Sequence, residues 1–134
     1  ALRQLAEAYD LAGNWDKAIA ATSIHYINET LSDMGDFGQS AYNYADHAAH
    51  WSELKGYSLG LQFNPYSPLL QDNDGDSTED FEQFQNLIGN HPVLPDGTQG
   101  GQQADIQQYE ADLEAARDLL KQAYGFADQD VMSW

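Results

Sequence analysis

The stretch NYADHAAHWSELKGYSLGLQFNP, residues 43–65, decides the fold, because its apolar residues recur at helical rather than strand spacing. At about 100° per residue, one broad face of this helix collects a mixed set of side chains. That set is His47, His50, Trp51, Leu54, Ser58 and Leu61. Asp46, Glu53 and Tyr57 follow along one edge of the face. We therefore predict an amphipathic helix with a histidine where its core face meets an acidic border.

Helical periodicity extends over the rest of the chain, which contains no convincing alternating strand and no Asn-Gly hairpin signal between apolar runs. We predict an all-α fold, a helical bundle of about four to five helices forming one domain over residues 1–134. Gly13 should end a first helix, and Asn14 should cap a second over residues 15–34. A third helix is predicted over residues 39–64. Apolar stripes mark the last two helices: Phe81, Phe84, Leu87 and Ile88, then Ile106, Tyr109, Leu113, Ala116, Leu120 and Tyr124.

The composition excludes several classes of function. The 134 residues have a formal net charge of −17, which repels phosphate backbones and anionic membrane surfaces, so we predict no nucleic-acid partner. The absence of cysteine excludes disulfides, thiol catalysis and thiolate metal sites. No apolar run approaches the length of a membrane span. The chain opens inside a helical stripe without an initiator Met or signal peptide, which predicts a processed chain or a fragment.

His50 and Glu53 are the leading candidates for a metal site. A His and a carboxylate three residues apart on one helix can bind a single divalent cation, although a site usually takes at least three protein ligands. Further candidate ligands are Asp46, His47, His25 and Glu29. The alternatives are an ordinary surface role for the first pair and a solvated pair of His25 and Glu29, because the apolar side of their helix points away from His25.

The acidic segment QDNDGDST, residues 71–78, is a separate candidate. Hard oxygen ligands at alternating positions suit calcium, and here they are Asp72, Asp74, Asp76 and Asp80. The segment is not an EF-hand, because Ser77 replaces the glycine of the sharp turn and Gln83 replaces the bidentate glutamate. The alternative is a solvated loop in which Glu79 or Asp80 caps the following helix.

Large aromatic residues recur at helical spacing and are predicted to fill the core rather than line a ligand groove. They are Trp15, Trp51, Tyr42, Tyr44, Tyr57 and Tyr66. The segment LAEAYDLAGNWDKAIAA, residues 5–21, also resembles one tetratricopeptide repeat. Such arrays need several copies at a period of about 34 residues, and nothing after Met34 repeats the pattern. Because only one copy is present, a tetratricopeptide-like interaction module is the alternative to the main prediction and not the main prediction itself.

Three longer segments resemble an imelysin-like family, and more narrowly a bacterial cell-envelope domain of unknown function whose members are often lipoproteins. They are WDKAIAATSIHYINETL, HWSELKGYSLGLQFNP and ARDLLKQAYGF, at residues 15–31, 50–65 and 116–126. Because those relatives are longer, the resemblance implies that this chain is the C-terminal portion of such a domain. It also implies an all-helical fold, a periplasmic or cell-surface location with a lipid anchor on a segment outside this chain, and a connection to metal or iron acquisition.

Imelysins are named for a proposed peptidase activity and carry a Gly-x-His-x-x-Glu motif thought to bind metal. His50 and Glu53 match its His and Glu, whereas Ala48 replaces its Gly. No His-Glu-x-x-His segment supplies the open metal position and general base that a zinc peptidase needs. An imelysin-type metallopeptidase is therefore the weaker alternative.

Taken together, these features predict a non-catalytic extracytoplasmic binding module that handles a divalent metal, namely iron, zinc or calcium. The expected partner is the remaining N-terminal portion of the same protein or another envelope protein.

Overall fold

Helices account for most of the residues that the computed structural model describes, which are residues 2–70 and 79–134. They are α1 (Leu2–Gly35), α2 (Tyr44–Gly60), a 3-10 turn (Pro68–Leu70), α3 (Asp80–Ile88), α4 (Ile106–Tyr124) and the one-turn α5 (Asp128–Val131). Two strands, β1 (Thr98–Gln99) and β2 (Gln102–Gln103), form an antiparallel hairpin. The predicted all-α helical bundle is confirmed, and none of its described helices is long and apolar enough to cross a membrane.

The first part of the chain forms one continuous helix, so the predicted break after Gly13 is wrong. A glycine ends a helix by adopting a left-handed conformation, and Gly13 has no such positive φ. Inside a helix a glycine costs only about 1 kcal/mol relative to alanine, which neighbouring helix formers offset. The helix pair of a tetratricopeptide repeat is consequently not formed by residues 5–21.

The helix that was predicted over residues 39–64 is shorter at both ends. Asn43 caps α2, because its side-chain oxygen accepts hydrogen bonds from the backbone N–H groups of Ala45 at 2.9 Å and Asp46 at 3.4 Å. At the other end α2 stops at Gly60, and the Asn64 side chain accepts a hydrogen bond from the Tyr66 N–H at 3.0 Å. A polar side chain therefore sets the start of α2, whereas at its end the Leu61 N–H bonds to the Ser58 carbonyl.

The apolar stripes of α3 and α4 lie on the buried faces, as predicted. Phe84 and Ile88 of α3 are fully buried, and the buried residues of α4 are Tyr109, Leu113, Ala116, Leu120 and Tyr124. The Asp105 side chain caps α4 by accepting from the Gln108 N–H at 3.0 Å, and Gly125, with φ of 70°, ends it. At α3, Glu79 occupies the N-cap position without a side-chain hydrogen bond to the backbone, and Asp80 lies in the first turn.

The short hairpin of β1 and β2 was not predicted from the sequence. Gly100 and Gly101, with φ of 57° and 81°, connect its two strands. Two successive positive φ angles define the tight turn that matches strand twist, and Gly-Gly provides them as well as Asn-Gly does. The sequence signal was therefore present as Gly-Gly.

Contacts between helices close a ring, because α1 packs against α2 and α4, while α3 packs against α4 and α2. The buried apolar residues form one cluster inside this ring. On α1 the buried positions begin at Asp16, and no side chain that the structure describes before it is buried. The first half of α1 therefore extends about 20 Å beyond the bundle, at 1.5 Å per residue.

Candidate functional sites

The predicted metal helix places His50 at the interface between α2 and α1. Its Nδ1 lies 2.7 Å from Asp33 Oδ2, and its Nε2 lies 3.9 Å from Glu29 Oε2. Glu29 was one of the candidate ligands predicted from the sequence. Asp33 was missed, because its position opposite His50 depends on the rotation of α1 and not on any local motif.

The two carboxylates are not placed to share one metal ion with His50. They contact opposite nitrogens of the ring, whereas a histidine ligates through one nitrogen and uses the other for a supporting hydrogen bond. Throughout residues 2–70 and 79–134, no group of three or more His, Asp or Glu side chains is placed to hold a metal ion. The arrangement is instead a part-buried hydrogen bond between His50 and Asp33 that joins α2 to α1.

The other predicted ligands lie apart. Asp46 is exposed in the first turn of α2, and Glu53 is exposed on the same helix. The His25 ring packs edge-on against the Tyr26 ring at 5.0 Å. Of the calcium candidates, Asp80 is the first residue of α3 and is buried. The other three, Asp72, Asp74 and Asp76, lie outside the described residues.

His47 is fully buried and serves as a packing residue in the described structure. Its Nδ1 lies 3.0 Å from the Tyr42 hydroxyl, and the Phe37 ring is 5.5 Å from its own ring. Burial lowers the pKa of His47 below 6.5, so the imidazole is neutral near neutral pH. His47 therefore packs the turn between α1 and α2 against the bundle.

An apolar groove runs along α1 where this helix extends beyond the bundle. It has a volume of about 730 Å³. Its walls include Leu11 and Trp15 of α1 and Phe63, which follows α2. These three side chains are 71%, 71% and 78% exposed. Unlike buried Trp51, Trp15 does not pack in the core, and the core prediction is also wrong for Tyr44, Tyr57 and Tyr66, which are exposed.

Asp16 lines the same groove where α1 enters the bundle, and only 2% of it is exposed. The Tyr124 hydroxyl donates a hydrogen bond to its Oδ2 at 2.6 Å and also lies 3.1 Å from Ser67 Oγ. Burial and this hydrogen bond both raise the pKa of Tyr124. No cation among the described residues forms an ion pair with Asp16. Sequence reasoning missed this carboxylate, whose position in the core stripe of α1 was its only signal.

A second cleft, of about 450 Å³, lies between α3 and α4. Its lining mixes the polar Gln83, Asp118 and Gln122 with apolar Leu87 and Leu119. No large exposed hydrophobic side chain lines it. The groove on α1 is therefore the stronger candidate for binding another polypeptide.

Comparison with protein-family models, with curated proteins and with solved structures finds no match to this chain. The fold is an all-α helical bundle. The feature that distinguishes this bundle is a long first helix that leaves it and forms an open apolar groove with the end of α2.

Proposed function

We propose that this chain is a non-catalytic helical binding module that binds another polypeptide in the groove between α1 and the end of α2. The supporting observation is the cluster of Leu11, Trp15 and Phe63 around one concave surface, each more than two-thirds exposed. Single exposed hydrophobic residues are ordinary, whereas a contiguous apolar patch marks an interaction site.

The chemistry of the groove is suited to a protein partner. Full burial of a large apolar side chain contributes about 1.5–3 kcal/mol, so covering these three supplies a substantial part of a binding free energy. Tryptophan is also prominent among the residues that dominate protein interfaces. Trp15, which lines the groove and is 71% exposed, is the expected anchor.

A metal-handling role is not part of this proposal, because the carboxylates beside His50 contact opposite ring nitrogens. The imelysin-like assignment and the extracytoplasmic location are supported by sequence resemblance alone and stay predictions. If that resemblance holds, the natural partner is the N-terminal portion of the same protein or another envelope protein.

A peptide-library selection tests the proposal and requires no candidate partner. Binders are selected on the full chain and then compared on Leu11→Asp and Met132→Asp variants. Leu11 and Met132 are exposed to similar extents, 71% and 67%, so neither change should disturb folding. We expect selected peptides to lose binding to Leu11→Asp and to keep it with Met132→Asp. A selection that yields no peptide with this dependence would count against the proposal.

A further inference from the structure

The groove restricts the conformation of its occupant, an inference that rests on the proposed function. Its walls are side chains of α1 and of the end of α2, and the backbone of α1 is hydrogen-bonded within the helix. A partner backbone that lies there finds no strand edge to pair with, which favours an occupant whose backbone hydrogen bonds are internal. A helix is such an occupant, and helix-in-groove binding is a common form of peptide recognition.

The position of the groove indicates how such a helix would lie. Ala12, Asp16 and Ala20 are four residues apart and therefore lie on one face of α1. Ala12 and Asp16 line the groove, whereas Ala20 is buried in the core, so the groove and the core share this face of the helix. Neighbouring helices cover the later part of this face, and α2 ends at Gly60. A helix of about 12–15 residues, roughly 20 Å long, would cover the free half of α1 and continue the bundle.

Asp16 indicates the charge of that helix. Buried carboxylates are usually paired with a cation, yet the hydrogen bond that Asp16 accepts comes from the neutral Tyr124 hydroxyl. The nearby end of α2 has no basic residue in its last turn, so its terminal carbonyls add negative potential. The net charge of −17 acts in the same direction.

We propose that the groove binds an amphipathic α-helix of another polypeptide, whose apolar face covers Leu11, Trp15 and Phe63 and whose lysine or arginine pairs with the Asp16 carboxylate. A second copy of this chain does not suit the groove, because two copies with a net charge of −17 each repel one another.

Three labelled synthetic peptides of about 15 residues, the length of helix that spans the groove, test this proposal. The first has leucines at helical spacing and a lysine beside the apolar face. The second has glutamine in place of that lysine, and the third has the composition of the first in an alternating apolar-polar order. Each is titrated into the full chain by fluorescence anisotropy at low and at physiological salt.

We expect the lysine peptide to bind at least about tenfold more tightly than either control, as close charge pairs at interfaces do. Added salt should reduce its advantage over the glutamine peptide. Asp16→Asn keeps an oxygen that can accept from Tyr124 but removes the charge, so it should abolish this advantage. Leu11→Asp should weaken binding of the lysine peptide, and Met132→Asp should not. Circular dichroism establishes that each variant is folded.

Several results would overturn the inference. Equal affinities for the lysine and glutamine peptides, or a preference that survives in Asp16→Asn, contradict the charge pairing. Equal binding of the alternating peptide contradicts the helical occupant. A sedimentation experiment showing a dimer that Leu11→Asp dissociates would assign the groove to a second copy. If library peptides bind the groove but none is helical and basic, this inference fails while the proposed function stands. If no peptide of any kind depends on Leu11, both fail.

Discussion

Removal of the Tyr124 hydroxyl should destabilise the bundle, because it leaves the Asp16 carboxylate buried without its hydrogen-bond donor. Asp16 is 2% exposed, and the hydroxyl is 2.6 Å from its Oδ2. A hydrogen bond to a charged group contributes about 1.5–3 kcal/mol. We therefore expect Tyr124→Phe to lower the free energy of unfolding by about 2–3 kcal/mol, or the melting temperature by roughly 8–12 °C for a chain of this size.

Urea unfolding followed by far-ultraviolet circular dichroism measures this loss. Tyr57→Phe is the matched control, because Tyr57 is 40% exposed and its ring, stacked on Tyr26 at 5.8 Å, is retained. Its change should stay within about 0.5 kcal/mol. In an Asp16→Asn background, Tyr124→Phe should cost only about 1 kcal/mol, since the lost hydrogen bond is then neutral. A loss below about 0.5 kcal/mol in the wild-type background would refute the idea that this hydroxyl stabilises a buried charge.

Three further changes test other parts of the structure. Gly13→Ala should stabilise the protein by about 0.5–1 kcal/mol, because α1 is continuous there and nothing lies within 4 Å of the added methyl group. A lower melting temperature would instead indicate a turn at this position. Gly100→Ala should destabilise the hairpin, because φ is +57° and the new Cβ would clash with the His91 ring. Unchanged thermal unfolding would contradict this. Burial lowers the folded-state pKa of His47 below its unfolded value of about 6.5, so the unfolded state binds more protons between the two values. Stability should therefore be complete above this window and decline as the pH falls through it, and a His47→Gln variant should show a weaker decline in denaturant titrations at a series of pH values.

Local signals were sufficient to predict α3 and α4, whereas the one-turn α5 was not predicted. In α4 a cap, an apolar stripe and a terminal glycine agree, and the observed helix has the predicted stripe on its buried face. Gly13 was misleading because the residue type that ends a helix is also tolerated within one at a cost of about 1 kcal/mol. Whether a glycine ends a helix or lies inside one depends on the stability of the whole helix, and the glycine alone does not indicate that stability.

The candidate sites were less predictable, because they depend on packing between distant segments. His50 was identified from its helix face, but Asp33 reaches it from α1 through the relative rotation of two helices. Trp15 was assigned to the core because sequence cannot show whether the same chain supplies a neighbouring helix to cover an apolar stripe. In the part of the chain that the structure describes, no neighbouring helix covers Trp15, which is 71% exposed.

The extension of α1 beyond the bundle has a consequence for local opening. Isolated helices shorter than about 12–15 residues are marginal in water, and the first half of α1 has little tertiary packing to add. Amide hydrogen exchange should therefore form a gradient along this one helix, slow near Ile24 and fast toward Leu2. Binding of a helix in the groove would first have to order this segment, so its affinity is set partly by how often the segment is already helical. Slowed exchange there would report occupancy directly.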